Sequence, residues 1–296
     1  MSLDLAIVTY PGQPIGTSDD ALLADALRAG GAVVAFAPWS DPDVRWADFD
    51  AAVVRTTWDY HLHAEIWRRW LATVPVRLIN DRATLQWNSD KAYLADLARR
   101  GLPVIPTELI ERGAAPDLAG LCGALGWEDI VVKPSIGASS HGARRFAASD
   151  PAAQAHLAGL LDASRALVQP FQPEVETRLE RSIVVVDGAV THGFRKAPFT
   201  GGTDIATLGF LDHRPEPAEI ELALAAVAAA EGDIAVARVD MVPTADGLRL
   251  MELELIEPHL DLARSPEAVT ALARRVVRTC RERQVCPALS RPLRRR

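Results

Sequence analysis

Short apolar runs alternate with amphipathic segments over the first 80 residues of the chain. Four of these runs predict buried strands, at residues 5–10, 32–38, 51–57 and 76–80. A helix is expected from Ser18, its N-cap, to the glycine pair Gly30 and Gly31, and a second one over residues 64–73. Strands that alternate with helices are typical of a parallel sheet. The pattern therefore predicts a small parallel αβ domain, and it contains neither the GxGxxG motif nor a P-loop sequence.

From residue 88 onwards, helix and strand patterns follow each other less regularly. Helices are expected at residues 88–100, 118–125, 151–163, 218–231 and 266–283. Strands are expected at residues 129–134, 143–147, 166–171, 181–187 and 189–196. Residues 199–213 contain several glycines and show no periodicity, so we expect this segment to act as a lid.

The stretch from residue 235 to residue 260 predicts a β-hairpin. Residues 235–242 are apolar, residues 243–247 have turn chemistry, and residues 248–256 are extended again. Strict alternation along the second strand places Leu250 on the same face as Glu252 and Glu254, and Met251 on the opposite face. A strand that is apolar on both faces is usually buried.

Three acidic side chains are expected on one face of this hairpin. Glu252 and Glu254 are two residues apart on one strand, and Asp240 lies on its partner. A convergent set of carboxylates is hard to ionise without a cation, and oxygen ligands suit Mg²⁺. The alternative is the solvated face of an edge hairpin, but carboxylates on a buried strand need partners.

The composition is that of a globular protein, and it narrows the range of partners. Of the 296 residues, 49% are hydrophobic and 24% are charged. No apolar run reaches the roughly 20 residues that cross a bilayer. A net charge of −7 argues against a nucleic-acid partner. We find no export signal, and Cys122, Cys280 and Cys286 lack metal-binding spacing, so we expect a cytoplasmic protein with no membrane partner.

Lysine is rare in this chain, which makes the position of each lysine informative. Of the 32 basic residues, only Lys91, Lys133 and Lys196 are lysines. A lysine is a compact point charge that suits phosphate, although codon bias also explains a preference for arginine. Lys133 lies inside an apolar strand, where a buried cation needs a counter-charge. Lys91 falls in the first turn of a predicted helix, where the helix dipole disfavours a cation.

A small, hydroxyl-rich loop follows Lys133. It contains Gly137, Ser139, Ser140 and Gly142. Loops of this composition let backbone N–H groups approach phosphate oxygens, although a flexible hairpin tip has the same composition. Because the loop directly follows Lys133, we favour a phosphate site.

The third predicted strand runs into Arg-Thr-Thr-Trp-Asp-Tyr, residues 55–60. The carboxyl ends of parallel strands face the ligand crevice of an open sheet. Arg55 is therefore a candidate for binding a substrate carboxylate, and Asp59 for accepting a hydrogen bond from an amine, with Trp58 and Tyr60 beside them. The alternative is an aromatic cap with an Arg–Asp surface pair.

Six short motifs occur in an order that is typical of one enzyme superfamily. They are Asn88-Ser-Asp-Lys91, Val132-Lys-Pro134, the loop 137–142, Gln169-Pro-Phe171, Arg238-Val-Asp240 and Glu252-Leu-Glu254. In these motifs the chain resembles the ATP-grasp superfamily, in particular the branch with glutathione synthetase and D-alanine–D-alanine ligase. The resemblance implies a mixed α/β (α+β) fold in which two α+β subdomains sandwich ATP. It implies an N-terminal αβ substrate domain at residues 1–87, a central subdomain at 88–170 and a C-terminal subdomain at 171–296.

The resemblance also implies ATP and Mg²⁺ (or Mn²⁺) as cofactors, together with their ligands. The implied ATP-binding residues are Lys91 and Lys133 at the phosphates, Gly137, Ser139, Ser140 and Gly142 above them, Gln169 and Phe171 at adenine, and Glu176 or Glu180 at the ribose. The implied metal ligands are Asp240, Glu252 and Glu254. Arg238 would stabilise a developing oxyanion, with Lys196 as a second catalytic cation.

Further motifs narrow the resemblance. Residues 54–60, 87–91, 195–198 and 255–258 are similar to the O-ureido-D-serine cyclo-ligase of D-cycloserine biosynthesis and its relatives. This implies a small amino-acid substrate, bound by Arg55, Trp58, Asp59 and Tyr60, whose carboxylate becomes an acyl phosphate. A nitrogen of the same molecule would then close a ring.

Two departures from these relatives keep other functions open. Residues 201–207 lack an arginine that the relatives carry, and Asp261 stands where they have an aromatic residue. The alternatives are a ligase that joins two amino acids and a nucleotide-binding module without catalysis. The oligomeric state is also open, with a homo-oligomer as one option.

Overall fold

Three β-sheets and the helices around them make up the described part of the chain. The structure, a computed structural model, describes residues 2–196 and 209–284. Residues 199–208 of the predicted lid therefore lie outside the described residues. Within the described ranges, no helix is both long and apolar enough to cross a membrane.

The N-terminal sheet has four parallel strands in the order β2-β1-β3-β4. The strands are β1 (Asp4–Thr9), β2 (Val33–Pro38), β3 (Ala51–Val54) and β4 (Leu78–Ile79). Helices α1 (Ser18–Ala29) and α2 (Ala64–Thr73) connect them, which confirms the predicted parallel αβ unit. The predicted cap Ser18 is wrong by one residue. Thr17 is the N-cap and forms a capping box with Asp20.

Two short helices link this sheet to the rest of the chain. They are α3 (Arg82–Asn88) and α4 (Tyr93–Arg99), so the single helix expected over residues 88–100 is wrong. Helix α3 begins where the side chain of Asp81 accepts a hydrogen bond from the backbone N–H of Thr84, at 2.9 Å. Residues 89–92, which include Lys91, form the bend between the two helices.

The central sheet is antiparallel, with strand order β5-β8-β6-β7. Its strands are β5 (Glu108–Ile110), β6 (Asp129–Pro134), β7 (Arg144–Ala147) and β8 (Ala166–Pro170). Helices α5 (Leu118–Leu125) and α6 (Pro151–Ala163) cover one face, and their leucines form a core with the sheet. Strand β5, whose three residues are all half-buried, is too short to have given a clear alternation in the sequence.

The third sheet has five antiparallel strands in the order β11-β10-β9-β12-β13. Its elements are α7 (Glu174–Thr177), β9 (Glu180–Val186), β10 (Ala189–Lys196), β11 (Phe210–His213), α8 (Pro217–Ala229), β12 (Val236–Thr244), β13 (Gly247–Glu254) and α9 (Pro266–Gln284). Helix α9 packs against α1 and shares one hydrophobic core with it.

A buried asparagine joins the first sheet to the third. Asn80, directly after β4, donates hydrogen bonds to the backbone carbonyls of Val236 (2.8 Å) and Leu255 (2.7 Å). Its side-chain oxygen accepts from the N–H groups of Ala235 and Val236, at 2.8 and 3.1 Å. A buried amide with all these bonds made is strongly directional. It fixes the N-terminal unit against both strands of the acidic hairpin.

Candidate active site

A β-bulge sets which side chains of the acidic hairpin face the site. Asp240 pairs with Glu252, but the next residue, Met241, pairs with Leu250, so Met251 is the extra residue. Leu250 is consequently fully buried in the core, while Met251 lines a cavity next to Glu252. The prediction that strict alternation places Leu250 on the glutamate face is wrong, because the bulge reverses the alternation there.

The cavity, of about 300 Å³, brings most of the predicted site residues together. The predicted residues in its lining are Trp58, Lys91, Lys133, Gly137, Ser139, Ser140, Gln169, Glu180, Lys196, Arg238, Glu252 and Glu254. They come from the second and third sheets, from the segments after β3 and β6, and from the bend between α3 and α4. A concave site shared by several structural units is the usual location of a ligand site.

Other predicted residues lie outside this lining. Within the described part of the chain they are Arg55, Asp59, Tyr60, Gly142, Phe171, Glu176 and Asp240. Asp240 is 1% exposed and lies behind the charged groups that face the cavity. Gly142 packs on Pro134 with a φ of 72°, where a Cβ would lie 3.1 Å from Pro134 Cδ, so glycine is required at this bend.

Asp240 is the anchor of a buried ion-pair network. Its carboxylate accepts hydrogen bonds from Arg238 Nε (2.9 Å), Lys196 Nζ (2.8 Å) and Ser182 Oγ (2.7 Å). Burial opposes its ionisation, but the two cations and these hydrogen bonds outweigh burial and hold the pKa of Asp240 well below its usual range. Asp240 therefore fixes the positions of both predicted catalytic cations.

The same two cations also reach carboxylates in the cavity wall. Arg238 is paired with Glu254, and Lys196 with Glu180. Burial raises the pKa of Glu254 and of Glu180 to about 7 in spite of these partners. Arg238 also donates to the backbone carbonyl of His259 at 3.0 Å. The guanidinium is thus held on three sides, which leaves it little freedom to move.

Lys91 links the acidic hairpin to the small loop. Its Nζ lies 2.7 Å from the carboxylate of Glu252 and also donates to the backbone carbonyl of Gly137. Burial opposes ionisation of Glu252, but Lys91 and Lys133 together lower its pKa. No group of three or more His, Cys, Asp or Glu side chains in the described residues is arranged closely enough to hold a metal ion.

The Asn88–Lys91 motif has a structural role that the sequence did not predict. The side chain of Asn88 donates to the carbonyl of Leu253 (2.8 Å) and accepts from the N–H of Leu255 (2.9 Å), so it pairs with the outer edge of β13. The carboxylate of Asp90 accepts from Ser135 Oγ (3.2 Å) and from Arg165 (2.7 Å). The motif thereby holds the hairpin and the small loop on either side of Lys91.

The small loop after β6 is bent and rests on the N-terminal unit. Ser139 and Ser140 both have left-handed backbones, with φ values of 50° and 56°. Ala138 is buried in the core of the N-terminal unit, and the ring of His141 lies 5.1 Å from that of His61, centroid to centroid. These contacts hold the loop across one end of the cavity.

Two charged side chains in the cavity have no direct partner. Neither the ammonium group of Lys133 nor the carboxylate of Glu257 makes a hydrogen bond or a close ion pair with any residue that the structure describes. Burial lowers the pKa of Lys133. Burial, followed by the charges of Glu254 and Glu252, raises the pKa of Glu257 to about 8. Groups with perturbed pKa values in a cavity are characteristic of functional sites.

The raised pKa of Glu257 predicts a pH-dependent stability difference. Between pH 4.5 and 8 the folded protein binds more protons at this side chain than the unfolded chain, so its free energy of unfolding falls as the pH rises. We expect Glu257→Gln to be more stable than the wild type above pH 8 by about 1–2 kcal/mol, after allowance for solvent screening. Urea unfolding at pH 5 and pH 8.5 measures this difference. A difference that is the same at both pH values would contradict it.

The predicted substrate residues of the N-terminal unit have partners within that unit. Arg55 Nε lies 3.0 Å from the carboxylate of Asp20, although Arg55 NH1 is buried without a partner among the described residues. Asp59 accepts a hydrogen bond from Trp39 Nε1 at 2.7 Å. Tyr60 is buried in the aromatic core. Of this set, Trp58 alone lines the cavity.

The two predicted nucleotide residues after β8 also have other partners. The guanidinium of Arg145 lies 3.6 Å from the ring centroid of Phe171 and 2.8 Å from the carboxylate of Glu176. Gln169 lines the cavity, and its side-chain amide donates to Thr107 Oγ1 at 2.7 Å.

Several residues in the cavity wall were missed by the sequence reasoning. They are Ile105, Val131, Phe210, Met251, Glu257 and His259. Most are apolar and look like ordinary core residues in the sequence. A signal did exist for Glu257 and His259, since both follow Glu254 closely in a segment that was singled out only for its motif.

The three-sheet architecture is shared with enzymes of known fold. The crystal structure of D-alanine–D-alanine ligase from Bacillus anthracis with ATP matches with a TM-score of 0.69 at 14% identity, over 96% of this chain and 99% of that one. This likeness shows that the chain has the ATP-grasp fold. The chain is also 32% identical over 274 residues to the cycloserine biosynthesis protein DcsG of Streptomyces lavendulae, covering 85% of this chain and 90% of that protein. The chain therefore belongs to the DcsG family.

Two further comparisons agree with this assignment. The sequence-family model for the N-terminal domain of D-cycloserine synthetase DcsG matches residues 5–80 of this chain. The crystal structure of D-cycloserine synthetase DcsG matches with a TM-score of 0.86 at 29% identity, over 94% of this chain and 99% of that one. The resemblance and the fold class predicted from the motifs are thus confirmed.

Proposed function

We propose that this ligase uses ATP and Mg²⁺ to activate an amino-acid carboxylate as an acyl phosphate, and that it cyclises O-ureido-D-serine to D-cycloserine. One observation carries the proposal: a single cavity combines Lys133, which has no close ion pair or side-chain hydrogen bond among the described residues, with the small loop and with the pair Arg238 and Lys196. The relationship to the S. lavendulae cycloserine biosynthesis protein supports the specific reaction.

In this proposal the phosphates of ATP are the direct anionic partner that Lys133 lacks in the free protein. Lys133 and Lys91 bind its phosphates, and Gly137, Ser139 and Ser140 lie over them. A buried cation without a partner is costly, so an anion bound beside it relieves that cost. Gln169 and Glu180, which line the cavity, bind the adenine and the ribose in this proposal. Gly142, Phe171 and Glu176 support nucleotide binding from outside the cavity lining.

In this proposal two carboxylates of the cavity would hold the divalent cation together with phosphate oxygens of ATP, since the described side chains alone form no site of three ligands. Glu252 and Glu254 present oxygen atoms to the cavity, and Asp240 lies behind them. Carboxylates are the ligands that Mg²⁺ prefers, and Mn²⁺ accepts the same set. A bound metal ion would neutralise phosphate charge and so ease phosphoryl transfer. Within the chain itself, Arg238 and Lys196 are the residues that would also neutralise phosphate charge.

The reaction develops negative charge first on the phosphoryl group and then on the oxygen of the attacked carbonyl. When the substrate carboxylate attacks the γ-phosphate, charge spreads over the phosphoryl oxygens, which the fixed cations Arg238 and Lys196 stabilise without reorganising. The nitrogen bonded to the side-chain oxygen then attacks the carbonyl carbon, and phosphate leaves. The carbamoyl group leaves with water as carbamic acid. Arg55 and Trp58 are proposed to position the substrate, with Asp59 and Tyr60 behind them.

Mass spectrometry of the product tests this function. We expect O-ureido-D-serine, ATP and Mg²⁺ to give D-cycloserine with one ADP per ring formed, because well-placed intramolecular groups reach effective molarities of about 10⁵–10⁸ M. The L-enantiomer and a reaction without ATP serve as controls. A dipeptide from two amino acids, with no cyclic product, would replace cyclisation by intermolecular ligation. ATP binding with no ADP release under any amino acid would contradict the proposal altogether.

A further inference from the structure

Glu257 differs from the other acidic side chains of the cavity in its lack of a cation partner. Glu252 is paired with Lys91, Glu254 with Arg238, and Glu180 with Lys196. Over the residues that the structure describes, the carboxylate of Glu257 has no such partner, although it lines the same cavity. A carboxylate next to other carboxylates creates a local field that attracts a cation.

We propose that Glu257 binds the α-ammonium group of the amino-acid substrate. This inference rests on the proposed function, since it requires that the substrate be an amino acid. It assigns to Glu257 the role that the sequence suggested for Asp59. The carboxylate of Asp59 is already bonded to Trp39 and lies outside the cavity lining.

Arg238 and Glu257 offer a cation and an anion to the same cavity. Arg238 donates to the backbone carbonyl of His259, two residues beyond Glu257, and both side chains line the cavity. In an α-amino acid, the ammonium nitrogen and the carboxylate are bonded to the same carbon. A site for such a zwitterion therefore needs a cation and an anion facing one cavity, and Arg238 and Glu257 both line this one.

The backbone around Glu257 is held in place from both sides. Trp58 Nε1 donates to the carbonyl of Glu257 at 3.2 Å, and its ring also lines the cavity. On one side Asn80 binds the carbonyl of Leu255, and on the other the N–H of Leu260 donates to Asp19 at 3.0 Å. A carboxylate on a fixed backbone binds with less loss of freedom than one on a mobile loop.

Substrate discrimination by matched variants tests the inference. The substrates are O-ureido-D-serine and 3-(ureidooxy)propanoate, which has hydrogen in place of the ammonium group. If another amino acid is the substrate, it is compared with its own deamino analogue. We expect the wild type to prefer the amine by about 100-fold in kcat/KM, and Glu257→Gln to prefer it by less than about threefold. The KM for ATP should stay unchanged, and Glu257→Asp should restore part of the preference.

The controls separate a binding role from a structural one. Glu231→Gln removes an exposed carboxylate paired with Arg100 and should keep the wild-type preference. If Glu257→Gln is inactive, calorimetric titration of both compounds in the presence of a non-hydrolysable ATP analogue measures the same preference. A preference that survives in Glu257→Gln overturns the inference while the function stands. If the wild type forms no ADP with any amino acid, the proposed function is overturned, and the inference with it.

Discussion

Replacing Lys133 by methionine is expected to weaken ATP binding by about 100-fold while leaving the free protein at least as stable. Lys133 lines the cavity, and burial lowers its pKa. Its ammonium group makes no close ion pair or hydrogen bond with the described residues, so its removal breaks no such contact in the free protein. Calorimetric titration with ATP and thermal melting of the same samples measure both effects.

A neighbouring residue provides a matched control for Lys133. Arg144 lies on β7, opposite Val132 in the register of the sheet, and its side chain is exposed. Arg144→Met removes the same charge close by, but outside the cavity lining, and should leave the affinity for ATP within about twofold. If Lys133→Met binds ATP as tightly as the wild type, or is clearly less stable, Lys133 has a protein partner and the phosphate role is wrong.

Most of the elements could be predicted because their patterns are local. The helix over residues 151–163 and the strands β6 and β10 follow directly from local sequence patterns. In the structure, Asp150 caps the helix by accepting a hydrogen bond from the N–H of Ala152. The helix expected over residues 88–100 failed for a non-local reason. Asn88 ends α3 because its side chain bonds the edge of β13, more than 160 residues later in the sequence.

The chemistry of the site was predictable where residue type alone decides it. Lysines at Lys91 and Lys133, and carboxylates at Glu252 and Glu254, are rare enough in apolar segments to indicate a charged cavity. Which of these groups would be free was not predictable. The partner of each is set by tertiary structure, and Lys133 is left without one among the described residues while Lys91 is paired with Glu252.

Tertiary structure also sets the partners of the substrate residues predicted in the N-terminal unit, and the sequence did not show these partners. Arg55 and Asp59 form a plausible zwitterion site in the sequence, but Asp20 and Trp39 bind them from earlier strand and helix ends. Pairing between distant residues has no periodic signature. The β-bulge at Met251 is a further case, because one extra residue reverses the face of every side chain before it.

Glu252→Gln is expected to lower ADP formation by about 10³-fold or more while the protein remains folded, as thermal melting of the same sample shows. Glutamine keeps the shape of the side chain but removes the charge that faces Lys91 at 2.7 Å. It also removes a proposed ligand of Mg²⁺. The control Glu231→Gln, at an exposed ion pair, should retain full activity.

The dependence on metal concentration separates the two roles of Glu252. If this carboxylate binds the metal, the Mg²⁺ concentration for half-maximal residual activity should rise at least about tenfold in Glu252→Gln, because a hard cation loses a charged oxygen ligand. If it only positions Lys91, activity should fall with no change in the Mg²⁺ requirement, while the KM for ATP rises. A fully active Glu252→Gln would contradict both roles. It would leave the acidic hairpin with Glu254 as the sole predicted metal ligand that faces the cavity within the described residues.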